Sequence, residues 1–237
     1  MTIKGWAKKG AETYAITPTL AATIALGPLL GFVTLCILFA VPATRSTALW
    51  MIKENRPVEL LTFGFLLLGG AKGLTLVRQT MKRKERAYIV GFYFLLSLGL
   101  LWTAMEEISW GQTFFRFATP STWKAINMQS ETNIHNLEVL GGRSELFRLA
   151  FGLGGMVGVW FSGSRMFRKI GVPIILLPTV IAITIHASVD LYVNIFRIEP
   201  QLAFLIDRSS EGTELLIGII GVTYVWLNAR MFDADGR

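Results

Sequence analysis

The sequence predicts an all-α fold, a polytopic transmembrane helical bundle of about six spans, and three observations carry that prediction. Of 237 residues, 52% are apolar and 16% charged, where a soluble domain carries about a quarter of its residues as charges. Mean hydropathy is +0.51, which leaves too little polar surface to coat a water-soluble globule. The apolar residues also gather in runs close to the ~20 residues that cross a bilayer core. The length suits a single domain over 1–237.

The first span is expected at 19–41, closed by Pro42. It is long for the h-region of a signal peptide, which runs to about 7–15 residues, so it is expected to stay in the chain. The others are expected at 58–77, 87–108, 146–166, 170–196 and 213–230. Gly27, Gly31, Gly64, Gly69, Gly70, Gly154, Gly158, Gly218 and Gly221 recur within them. Such glycines let helix backbones approach closely, and packing inside one bundle is favoured over a dimer interface. Pro173 and Pro178 predict a kink near the start of the fifth span. The lone Cys36 excludes an intramolecular disulfide framework and a Cys-rich zinc site.

A net charge of +7 fits basic loops held beside anionic lipid. With no interleaved basic and aromatic stretch, it does not indicate nucleic acid. Counting Lys and Arg toward each side, with Arg165 and Arg230 at the span ends included, gives 13 on the side of both termini and 8 on the other. The run Met81–Arg86 contributes most. The positive-inside rule then expects a multi-pass protein of a cell inner membrane with both termini cytoplasmic.

The polar groups converge on the other side. Glu106 and Glu107 lie at the exit of the third span, and Glu214 at the start of the sixth. Trp102, Glu106, Ser109, Trp110 and Thr113 share a stripe of the third span. Glu107 is turned about 100° away, which favours Glu106 slightly. His186 and Asp190, four apart in the fifth span, lie on one stripe with Thr179 and Asn194. His186 is there the nearest expected partner of Asp190. A carboxylate at membrane depth costs at least about 2.5 kcal/mol, so it is paired, protonated or wet.

The connector 111–142 is patterned, and is expected to be a helical interfacial or re-entrant segment. Pro120 and Ser121 read as one helix start, and Ser130 as the cap of a second near Glu131. On that second helix Glu131, His135 and Glu138 share a face at metal-ligand spacing, with Gln129, Asn133 and Asn136 placed to hydrogen-bond around them. The alternative is an amphipathic interfacial helix whose polar face meets water. Phe114, Phe115, Phe117 and Trp123 are expected at the lipid interface.

The strings EEISWGQ (106–112) and NIHN (133–136) resemble paired motifs of a group of bacterial polytopic membrane proteins. The resemblance covers the middle third of the chain and implies a shared site without naming its chemistry. A looser similarity is to the alkaline ceramidase-like membrane hydrolases, which set His and Asp on transmembrane helices around zinc. This chain has two histidines and no HxxxH, and no residue is carried over.

Three functions are open to the sequence. The first is a metal-dependent hydrolase or transferase acting on a lipid or lipid-linked substrate. Its divalent metal, zinc before others, would be held by His135, His186, Asp190 and Glu131. Glu106 or Glu107 would act as general base, Asn133 and Asn136 would orient the substrate, and Arg116 and Arg143 would meet a phosphate. The second is a non-catalytic subunit of a larger membrane complex, with other subunits, pigments or quinones as partners and the polar cluster as a clasp. The third is a proton- or ion-coupled transporter, against which stands the lack of an inverted repeat.

Overall fold

In the computed structural model, residues 10–127, 132–134, 143–196 and 199–234 are described. All the regular structure among them is helical. The long elements are α1 (Pro18–Ala40), α2 (Pro42–Met51), α3 (Pro57–Lys82), α4 (Ala87–Glu107), α5 (Ser144–Ser162), α6 (Leu177–Phe196) and α7 (Pro200–Ala234). Five of them are long and apolar enough to cross a membrane, namely α1, α3, α4, α6 with its preceding turn, and α7. The chain is a multi-pass integral membrane protein. The expected fourth span, α5, has 19 residues but sets Glu145 and Arg148 in its first two turns, and it falls outside that apolar set.

Proline sets several of the helix starts. Pro18, Pro42, Pro57 and Pro200 each open a helix, where the missing N–H costs nothing because the first turn has no carbonyl to bond. Between α1 and α2 the chain breaks at Pro42, and the carbonyls left over at the end of α1 are taken up by side chains. Thr44 donates to Leu38 O at 3.0 Å, and Arg45 to Phe39 O at 2.9 Å and Ala40 O at 3.3 Å. Near Pro173 and Pro178 the expected span is not one continuous α-helix. A 3-10 turn at Ile174–Leu176 precedes α6, so Pro178 falls in the first helical turn and displaces no hydrogen bond.

The sixth span is much longer than its apolar core predicts. α7 has 35 residues, about 50 Å of helix, and packs against α1, α3, α5 and α6. It is the axis of the bundle, with α3 and α4 packed as a pair on one flank and α5 and α6 on the other. Close approach on the first flank depends on glycine. A Cβ on Gly69 would stand 3.1 Å from the Val222 backbone nitrogen, and one on Gly70 2.5 Å from Leu101 Cγ and 3.1 Å from its backbone nitrogen. Packing within the bundle thus accounts for Gly69, Gly70, Gly158, Gly218 and Gly221, while Gly31, Gly64 and Gly154 meet no neighbour. Gly70→Ala is expected to force α3 and α4 apart and cost about 1–3 kcal/mol, read as a lower melting temperature in detergent. The exposed Gly154→Ala should melt as the parent does.

Both ends of the chain meet at one face. Arg230 donates to Tyr14 O at 3.0 Å and to Ala15 O, and Gln79 donates to Asp233 at 2.6 Å. Lys169 is paired with Glu85 across the two short loops of the same face, and Tyr224 donates to Ile170 O at 2.7 Å. Tyr14, Tyr93, Tyr224, Met231 and Phe232 are buried behind these contacts. The bundle is therefore closed by packed aromatic side chains toward this terminal face. The exit of α4, the start of α5 and the end of α6 all lie at the opposite face.

Candidate functional site

The motif at the exit of α4 does not continue the helix. After Glu107 the chain turns through Ser109 (φ 46°), Trp110 (φ 56°) and Gly111 (φ 82°). Three successive left-handed residues are costly unless their surroundings hold them. The stripe expected to run on from Glu106 through Thr113 therefore ends at this turn. What holds it is the other motif. Glu106 accepts the Trp110 indole N–H at 2.7 Å and the Ile134 backbone N–H at 2.5 Å. Asn133 donates to Ser109 Oγ at 3.0 Å, and Gln112 accepts the Thr132 N–H at 2.9 Å. Asn127 completes the join by donating to Asn133 O at 2.9 Å and Oδ1 at 3.0 Å. Trp110 in turn packs edge-on against Trp102, with ring centroids 4.9 Å apart.

The helix expected to begin near Glu131 does not begin there. Thr132, Asn133 and Ile134 are non-helical, because the Thr132 and Ile134 N–H groups are given to the side chains of Gln112 and Glu106. The earlier expected start is observed, as the single turn Ser121–Lys124. Glu131, His135 and Asn136, with Gln129 and Glu138, lie outside the described residues. Asn133 is buried, and its amide is used at both ends within the protein. Arg116 and Arg143 are both exposed, one capping a single helical turn and the other preceding α5. Phe114, Phe115 and Phe117 are exposed, as an interfacial position requires.

Glu106 and Glu107 part company at this point. Glu106 is buried with its oxygens committed to the motif join. Glu107 faces the bundle instead, where Glu214, Glu211 and Glu59 act on it electrostatically. Glu211 in turn feels Glu214, Glu59, Arg148 and Arg208. Glu59, in the first turn of α3, accepts the Asn55 N–H at 2.6 Å. Among the described residues, neither Glu107 nor Glu211 has a hydrogen-bond or ion-pair partner. Both are half-buried.

The deep acid of α6 is answered by α5. Arg148 is 4% exposed and Asp190 3%, too little for solvent to screen their charges. Arg148 Nη2 meets Asp190 Oδ2 at 2.7 Å, and its Nη1 meets Glu214 Oε1 at 2.6 Å and Ser144 Oγ at 3.0 Å. One guanidinium thus ties α5, α6 and α7 together. This corrects the expected pairing of Asp190 with His186. His186 Nε2 instead meets Ser209 Oγ of α7 at 2.8 Å, and its ring stands edge-on to Phe32 of α1. Ser209 already donates to Ile206 O at 2.9 Å, so its oxygen accepts and the imidazole proton is on Nε2. Nδ1 is then a buried acceptor with no partner among the described residues.

Among the described residues, no three His, Cys, Asp or Glu side chains stand together as a metal site. The expected ligands His186 and Asp190 are each engaged by another side chain. Arg148, Glu211 and Glu59 were missed from the sequence. Arg148 had a usable signal, since an arginine inside a membrane helix implies a buried partner. Glu211 had none, because it falls before the apolar stretch of α7. Comparison with family models, curated proteins and solved structures gives no match.

Proposed function

We propose that the protein is a membrane-embedded hydrolase or transferase acting on a lipid or lipid-linked substrate, with Glu107 and Glu211 as its reacting carboxylates. The observation that carries this reading is the unanswered pair itself. Both acids are half-buried and form no hydrogen bond or ion pair among the described residues, while Arg148 is committed to Asp190 and Glu214, so a proton or a cation is needed to offset them. A shared proton makes them a general acid and base, worth about 10²–10⁴ in rate. A divalent cation would instead lower the pKa of a bound water and generate a nucleophile. Glu107 and Glu211 would hold such an ion, with Glu131 and His135 the further ligands that the sequence offers.

Enclosure supports chemistry over transport. Glu107 ends α4 and Glu211 lies in the first half of α7, both toward the face of the α4 exit, while packed aromatic residues fill the bundle toward the terminal face. A relay across the membrane needs polar groups through both halves. The basic loops support an orientation with the termini in the cytoplasm of a bacterial cell, so the site would face the non-cytoplasmic side of the inner membrane. There the exposed Arg116 and Arg143 would meet a phosphate.

The test is conversion of a radiolabelled bacterial lipid extract by the purified full chain. Glu107→Gln and Glu211→Gln should each lower conversion at least about a hundredfold with the melting temperature unchanged. About one transition-metal ion per chain by elemental analysis favours the ion, and its absence favours the shared proton. No conversion by the parent, with stoichiometric membrane partners copurifying, would establish the subunit reading instead. That second reading is favoured by one observation, the Arg148 tie among three helices.

A further inference from the structure

A second polar site lies at the opposite end of the molecule. The loop between α3 and α4 and the loop between α5 and α6 enclose a cavity of about 610 Å³, lined by Glu85, Arg86, Tyr88, Ile89, Arg165, Met166, Arg168 and Lys169. Four cations thus face one carboxylate. Glu85 is taken by Lys169, so it does not neutralise the rest. Among the described residues Arg86 and Arg165 form no ion pair and no side-chain hydrogen bond, and both are exposed. The two walls are tied together, since Tyr88 donates to Met166 O and Tyr93 to Lys169 O. The first turn of α4 forms part of the wall and has no capping side chain and no acid, which adds positive potential.

Depth decides what kind of anion fits. Arg86 immediately precedes the apolar helix at Ala87, and Lys169 lies five residues before the apolar segment that begins at Ile174. The charged rim therefore lies at the level of the head groups. The apolar members Tyr88, Ile89 and Met166 belong to the same wall, and Met166 is 53% exposed. A soluble phosphate would have no use for that apolar wall, whereas a phospholipid places its glycerol and upper acyl carbons beside its phosphate. A choline head group brings its own cation into a cavity already rich in positive charge, which disfavours it. We propose that this cavity binds the head-group phosphate of an anionic phospholipid in the leaflet of the terminal face, through Arg86 and Arg165.

The experiment is native mass spectrometry of the delipidated full chain in detergent, offered phosphatidylglycerol or phosphatidylcholine at equal concentration. The parent should retain phosphatidylglycerol about tenfold better. Arg86→Gln with Arg165→Gln should bring that preference to less than about twofold at an unchanged melting temperature. If the double variant does not fold, Arg165→Gln alone should lose about threefold. Equal retention of the two lipids by the parent, or an undiminished preference in the folded variants, overturns the proposal. So does displacement of the lipid by millimolar inorganic phosphate, which would make the site one for a soluble anion.

Discussion

Replacing Arg148 with Ala is expected to be the most damaging single change in the protein, lowering stability by about 3–5 kcal/mol. The guanidinium answers Asp190 at 2.7 Å and Glu214 at 2.6 Å, and both Arg148 and Asp190 are almost wholly excluded from solvent. Removing it leaves a buried carboxylate without a counter-charge, on a helix that lipid surrounds. The melting temperature in detergent should fall by about 10 °C. Arg148→Lys should recover part of the loss, since a lysine supplies the charge without reaching both acids in a fork. The double change Arg148→Met with Asp190→Leu should recover more, because it removes the deeply buried unpaired charge and leaves only Glu214, which is partly exposed. A single Arg148→Ala variant that melts like the parent would show that the three helices do not depend on this tie.

The second large effect is expected at Glu106. Its carboxylate joins the two motifs by accepting from the Trp110 indole and the Ile134 backbone N–H. Hydrogen bonds to a charged group are worth about 1.5–3 kcal/mol each, so Glu106→Ala should release the connector locally at a cost of about 3 kcal/mol or more. The loss is read most directly by limited proteolysis, because Arg116, Lys124 and Arg143 are trypsin sites in or beside that segment. Cleavage there should quicken at least about tenfold, as a local opening free energy that falls by more than 1.4 kcal/mol requires. Cleavage at Arg83 and Lys84, on the terminal face, should stay unchanged. Glu106→Gln keeps one acceptor and should lie between the two. Unchanged connector cleavage in Glu106→Ala would mean that Asn133 and Gln112 suffice to hold the join.

These outcomes also separate the two adjacent acids. Glu106→Gln should act on order, whereas Glu107→Gln should act on conversion of substrate at constant stability. The sequence favoured Glu106 because its helical stripe looked the more polar. That stripe exists only while the helix continues, and the left-handed turn at Ser109, Trp110 and Gly111 ends it. Polar residues on either side of the turn then bond to the Thr132–Ile134 segment instead of lining a common face.

The five long apolar helices were legible in the chain alone, whereas the full 35 residues of α7 were not. Within a membrane each backbone N–H and C=O must be satisfied inside its own segment, so a run of apolar residues bounded by prolines and charges fixes a span without reference to any neighbour. For the same reason the sequence placed Glu106, Glu107, His186, Asp190 and Glu214 toward one face, since depth along a helix follows from counting residues at 1.5 Å each. Which group meets which was decided only by the tertiary structure. Asp190 meets Arg148 rather than His186, and His186 meets Ser209, because pairing depends on the rotation and separation of whole helices. Those are set by contacts far from the polar groups, such as the approach of α3 to α4 and α7 at Gly69 and Gly70, and no spacing within one segment encodes them.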